Sequence, residues 1–354
     1  MLESTRESFL GGVNHLYVVT HTDLDGVGSA AAILRIAGRR LGRDSTVAFT
    51  EPYELHELLE SLEGYLERGD ALVIADLGLN SDTREPIREV LGKVVARGVR
   101  VEWYDHHVWG EDDLEGLRRL GAIVHVDRST CATGVIVRYA PRVWGVEPDS
   151  FLEELSKAVC SADLWRWDHS LSPKLFRAVG SREASREWRL KVIEKFLSGT
   201  LWDEEMEKRL EEYVNEELRN VSSILKTVYV AEVGGLRIAS AYKGNGPPAN
   251  SIVGALLTAR YKADIAVIVR PNGGISLRSG KINVQKIAAK LGGGGHPRAA
   301  GAKIEIPLWI KIASMVTPKA LPYYATRKVA KALEGNIEHL SETPQTHEYR
   351  SPHT

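Results

Sequence analysis

Four short stretches carry residues whose types and spacing suit metal-assisted chemistry: His21, Asp23 and Asp25 in "THTDLDG", Asp76 in "ADLGLN", Asp105, His106 and His107 in "YDHH", and Asp163 in "SADLW". A lone aspartate after a strand is ordinarily a helix cap or a turn residue. Several carboxylates converging on one place need another explanation, because like charges in contact repel unless a cation compensates them. Two divalent cations would cancel the charge of Asp23, Asp25, Asp76 and Asp163. Such a pair clamps both the attacking and the leaving oxygen of an in-line phosphoryl displacement. Mixed imidazole and carboxylate donors favour two Mn2+, with Co2+ or Mg2+ as substitutes, and zinc also fits the donor types.

A second group lies in "SLRSGKINVQKIAAKLGGGGHPRAAG". Gly293, Gly294 and Gly295 lack Cβ atoms, so a loop there could bring backbone N–H groups close to a phosphate, with His296 beside it. Arg278 adds a planar donor fork suited to phosphate. Residues 227–315 hold 12 Lys and Arg against 3 Asp and Glu, although the whole chain has a formal charge of −1. A basic part joined to an acidic one suits a ligand whose phosphates meet the former while metal ions occupy the latter.

The elements that must position these residues alternate. Strand-like runs at 15–20, 46–50, 71–75, 99–104 and 122–126 are separated by helical patterns at 27–41, 53–66, 83–97 and 111–119, which implies βαβ units and a mainly parallel sheet. In such sheets ligands bind beyond the carboxyl ends of the strands, where "THTDLDG", "ADLGLN" and "YDHH" fall. Helices at 131–139 and 151–162 close this part. The expected fold is α/β: a parallel-sheet domain with helices on both faces (1–181), a helical linker (182–226), a smaller α/β domain (227–315) and a helical, polar tail (316–354).

With 354 residues, 43% of them hydrophobic, a packed protein of more than one domain is expected. No run of about 18 apolar residues and no signal-peptide pattern occur, so a cytoplasmic protein without a membrane partner is expected. Cys131 and Cys160, the two cysteines, lack CxxC spacing, which argues against a disulfide framework or a cysteine zinc site. Two glutamines and three methionines lean toward a heat-adapted source.

In order and spacing, "THTDLDG", "ADLGLN", "YDHH" and "SADLW" resemble the four motifs of the DHH phosphoesterases, and "RSGKINVQKIAAKLGGGGHPRAAG" resembles the GGGH segment of the DHH-associated C-terminal domain. The resemblance covers about 15–305. The first motif is more similar to RecJ-type nucleases and their archaeal relatives than to bacterial nanoRNases. The resemblance implies that His21, Asp23 and Asp76 hold one ion and that Asp25, Asp76, His106 and Asp163 hold the other, with Asp76 bridging. It further implies that His107 faces the scissile phosphate or leaving oxygen, that Asp105 orients an imidazole, and that Arg278 and His296 grip the substrate phosphate.

The activity implied is exonucleolytic hydrolysis of single-stranded or short RNA or DNA to 5′-mononucleotides. Trp109, Trp165 and Trp167, next to the motifs, could stack bases. The rival readings are a cyclic dinucleotide phosphodiesterase or a hydrolase of pyrophosphate or polyphosphate, and a non-catalytic replisome scaffold. Compared with full bacterial RecJ, no obvious OB-type domain or long C-terminal extension is seen in the sequence, so processive degradation of long DNA is not expected. The sequence leaves the oligomeric state open, a homo-oligomer included.

Overall fold

The computed structural model describes residues 12–80, 82–147, 149–180 and 184–334. The chain divides into two compact units, one up to Glu211 and the other from Glu212. The first unit begins with β1 (Leu16–Thr20), α1 (Leu24–Ala37), β2 (Ser45–Phe49), α2 (Leu55–Glu63), β3 (Ala71–Ala75), α3 (Arg84–Ala96), β4 (Arg100–Asp105), α4 (Glu111–Arg119) and β5 (Ile123–Val126). It continues through α5 (Ala132–Trp144), α6 (Ser150–Asp163), α7 (Ser172–Ala178) and α8 (Arg186–Leu197), and α9 (Glu204–Lys226) runs across the boundary.

The five strands pair in parallel in the order β2-β1-β3-β4-β5. Every residue of β3, "ALVIA", is buried, as expected of a central parallel strand covered on both faces. One core packs α1 and α5–α8 onto one face, and a second packs α2–α4 onto the other. Alternate residues of β1 serve them in turn, Val18 the first and Val19 the second. The order in which strands are added reverses between β1 and β3, the place where open sheets of this order leave a crevice beyond the strand ends.

Several local expectations need correction. The first helix starts at Leu24 rather than 27, because Asp23 caps it by accepting from Gly26 N; it ends at Ala37, with Gly38 left-handed at φ 63°. Cys131 and Cys160 form a disulfide, with Cα atoms 5.1 Å apart, because packing of α5 on α6 brings the two together. Sequence spacing carries no record of that packing. The helix expected at 131–139 continues to Trp144.

The second unit holds β6 (Tyr229–Val233), β7 (Leu236–Tyr242), α10 (Asn250–Tyr261), β8 (Ile265–Val269), β9 (Gly274–Arg278), α11 (Val284–Lys290), β10 (Gly294–His296), β11 (Ala299–Lys303), α12 (Leu308–Val316) and α13 (Ala320–Leu333). Its sheet runs β10-β11-β9-β8-β7-β6, with β7 and β8 parallel and the other pairs antiparallel. The expected glycine loop is in part an edge strand. A Cβ on Gly293 would lie 2.1 Å from Gly301 O, and one on Gly295 would lie 2.7 Å from Ala300 Cα, so glycine lets this strand reach β11. The helix α12 had no counterpart among the sequence expectations.

Candidate metal centre

The loop after β1 is shaped by two close approaches. A Cβ on Gly26 would sit 2.1 Å from His21 O, so only glycine lets the chain double back from His21 into α1. Asp23 Oδ1 accepts from Gly26 N at 3.1 Å, and its Oδ2 lies 3.0 Å from His21 Nδ1. Asp25, in the first turn of α1, is buried against the start of α5. Its Oδ2 accepts from Ala132 N at 2.7 Å, and Oδ1 accepts from Thr133 N at 2.9 Å and Thr133 Oγ1 at 2.7 Å. A carboxylate there complements the positive end of the α5 dipole.

Asp76 follows β3 with φ 56°, a left-handed conformation that aspartate tolerates better than most residues. Its Oδ2 lies 3.6 Å from His21 Nδ1, and its Oδ1 lies 3.5 Å from His106 Nε2. His106 Nε2 is also 3.7 Å from Asp163 Oδ2, at the end of α6, and 3.9 Å from Asp25 Oδ2. All six residues expected to hold metal therefore converge. Among the described residues their donor atoms form the groups His21–Asp23–Asp76 and Asp25–His106–Asp163, and a third, Asp76–His106–His107, includes the neighbouring histidine. In each group the atoms lie within 4.8 Å of one another.

Behind this cluster, Asp105 is fully buried. It accepts from His107 Nδ1 at 2.7 Å and from Trp109 Nε1 at 2.6 Å. An ionised carboxylate can only accept, so the proton of this bond sits on Nδ1 of His107. A Cβ on Gly78 would lie 3.2 Å from His107 Cβ, so the glycine of "ADLGLN" makes room for that ring. Trp109 packs edge-on against Trp103 and is part of the wall.

The electrostatics match a site built for cations. Burial pushes the carboxyl groups of Asp76 and Asp163 well above their ordinary range, and the neighbouring Asp25 adds to this in both. Burial raises Asp25 as well. Burial works to lower His21 and His106, but Asp23 with Asp76 and Glu51 together outweigh it for His21, and the charges of Asp25, Asp163, Asp105 and Asp23 together outweigh it for His106, so both are raised. Asp105 goes the other way: burial works to raise it, and the hydrogen bond and charge of His107 take it below the usual range. Asp76 Oδ2 and Asp163 Oδ2 are buried without a hydrogen-bond partner. Two orphaned carboxylate oxygens beside protonatable imidazoles are the donor set that a divalent cation would satisfy.

Sequence reasoning missed two neighbours. Glu51, just beyond β2, accepts from Thr22 Oγ1 at 2.7 Å and faces His21 Nε2 at 3.4 Å. Arg189, largely buried on α8, donates to Thr22 O at 2.6 Å, bracing the same loop from the other side. Neither belongs to a motif. The signals available were a glutamate at a strand's carboxyl end and an arginine within an apolar helix face.

In the second unit, Arg278 pairs with Ala299 and Ala299 with His296 in adjacent ladders. Paired residues share a face, so Arg278 and His296 project on one side, about 10 Å apart. Gly254 of α10 makes room for the Arg278 stem, since a Cβ there would be 2.6 Å from Arg278 Cγ.

Residues 225–316 match the model of the DHHA1 domain. The chain is 27% identical over 320 residues to the oligoribonuclease NrnB of Bacillus subtilis, covering 82% of this chain and 72% of that protein. It is 28% identical over 305 residues to the bifunctional oligoribonuclease and PAP phosphatase NrnA of Thermus thermophilus, covering 82% and 84%. Among solved structures, an exonuclease RecJ bound to manganese shares the fold, with a TM-score of 0.53, 19% identity and 91% of each chain covered. RecJ of Thermus thermophilus with Mn2+ does so at 0.56, with 18% identity, over 91% of this chain and 52% of that one. These likenesses show that the chain shares its fold with the RecJ structures and that residues 225–316 match the DHHA1 domain.

Proposed function

We propose that this protein is a divalent-cation-dependent phosphodiesterase that hydrolyses single-stranded or short oligonucleotides, releasing 5′-mononucleotides. The observation that carries this reading is the convergence of four aspartates and two histidines at the switch point of the sheet, with Asp76 Oδ2 and Asp163 Oδ2 buried and unpartnered. His21, Asp23 and Asp76 would hold one cation, and Asp25, Asp76, His106 and Asp163 a second. Cations bound there would supply Lewis acidity toward phosphoryl oxygens and lower the pKa of water.

The remaining roles belong to side chains. His107 holds its Nδ1 proton against Asp105, which fixes the ring, and its Nε2 would carry a proton to the leaving oxygen. The Asp105 carboxylate stabilises the charged form of that imidazole, as its depressed pKa reflects. Arg278 and His296 would hold a substrate phosphate, the guanidinium by two parallel donors. The activity of the oligoribonuclease relatives supports a nucleic-acid substrate over an inorganic one.

The test is digestion of 5′-labelled single-stranded RNA and DNA of several lengths with Mn2+, alongside pyrophosphate and a cyclic dinucleotide. Stepwise release of 5′-mononucleotides that stops with EDTA is the expected outcome. Turnover of pyrophosphate alone would overturn the nuclease reading.

A further inference from the structure

Directly after Asp163 the chain does something costly. Trp165 and Trp167 have φ 60° and 58°, the left-handed region that bulky residues avoid. The turn is held tightly: Trp165 N donates to Ala162 O, and the N–H groups of Arg166 and Trp167 both donate to Ser161 O, within 2.9–3.1 Å. Trp167 and Phe176 pack onto the core beneath. Trp165 is not among the residues packed there and is 40% exposed, alone among the described tryptophans of the first unit in being exposed.

Its ring is nevertheless fixed. Trp167 meets it at 4.7 Å between centroids and 70° between planes, and Phe176 at 6.0 Å and 82°. Both contacts are edge-to-face, so no described ring lies parallel on the indole. An indole two residues beyond a candidate metal ligand is thus braced by two core-packed rings, partly open to water, and held in a backbone conformation that costs free energy.

The geometry points to Trp165 as a stacking platform for a nucleobase of the substrate. The inference rests on the phosphodiesterase reading above and narrows it to substrates that carry a base. Pyrophosphate and polyphosphate have no flat apolar surface to match an indole, whereas each nucleobase has a π-face, so the contact selects bases as a class without reading their sequence. Trp109, whose indole N–H is tied to Asp105, and Trp167, turned into the core, do not compete for this role.

The test uses the full-length protein with Mn2+ and two substrates, 5′-phosphorylated adenylyl-adenosine and its counterpart lacking both bases. kcat and KM are measured for wild type, Trp165→Ala and Trp165→Phe, with a melting curve for each. Wild type should favour the base-bearing substrate in kcat/KM by about 5- to 150-fold, the value of one stacked base. Trp165→Ala should bring that ratio close to one, mainly through KM, while Trp165→Phe retains most of it. A ratio in folded Trp165→Ala equal to that of wild type overturns the stacking role alone. Hydrolysis of neither substrate by wild type overturns the phosphodiesterase reading and this inference with it.

Discussion

Asp76 concentrates the electrostatic problem of the site. It is buried, held at a positive φ, placed between two imidazoles and left with an unpartnered oxygen. Glu102 shows what burial does to a carboxyl group outside the cluster. On β4, it accepts from Trp144 Nε1 at 2.9 Å and from the Tyr104 hydroxyl at 2.5 Å through one oxygen, while the other has no partner. Burial pushes its pKa up to about 7, against 4.5 for an ordinary glutamate. The folded state thus binds more protons than the unfolded one, so this residue makes stability fall as pH rises from about 4.5 to about 7, after which the loss is complete. Denaturant unfolding at pH 5 and pH 8 should show a drop larger in wild type than in Glu102→Gln by about 2.5 kcal/mol. Equal drops would contradict the account of Glu102.

At the scale of elements, the site depends on helix ends meeting strand ends. Asp25 belongs to α1 yet is fixed by the first turn of α5, whose Thr133 donates to it twice, and the Cys131–Cys160 disulfide ties the residue before α5 to α6, which carries Asp163 at its end. Thr133→Val removes a buried donor while keeping the shape. It should weaken Mn2+ binding by about tenfold through the loosened carboxylate and lower stability by about 1–2 kcal/mol. Calorimetric titration and denaturant unfolding measure the two effects. An unaltered affinity would mean that the α5 cap does not set the position of Asp25.

Across the whole molecule, what was legible in the sequence follows the reach of each interaction. The strand "ALVIA" was delimited to the residue, because apolar periodicity and flanking turn residues are local signals. The convergence of the acidic and histidine side chains was legible because each contributor follows a strand or ends a helix, where topology brings them together. Glu51, Arg189 and the disulfide were not, since each depends on packing between segments 29 or more residues apart. The edge strand at Gly294–His296 was read as a loop because glycine suits both, and the deciding contact lies on β11. The described residues include no helix long and apolar enough to cross a membrane. The central claim is that the convergence at the first sheet is a two-cation site bridged by Asp76. Counting bound Mn2+ per chain by calorimetric titration, in wild type and in Asp76→Asn, tests it most directly. The account predicts two ions for wild type and loss of tight binding at both positions in the variant, which stays folded because asparagine also tolerates that backbone conformation. A wild-type protein that takes up no divalent cation, or an Asp76→Asn variant that still takes up two with unchanged affinity, would contradict it.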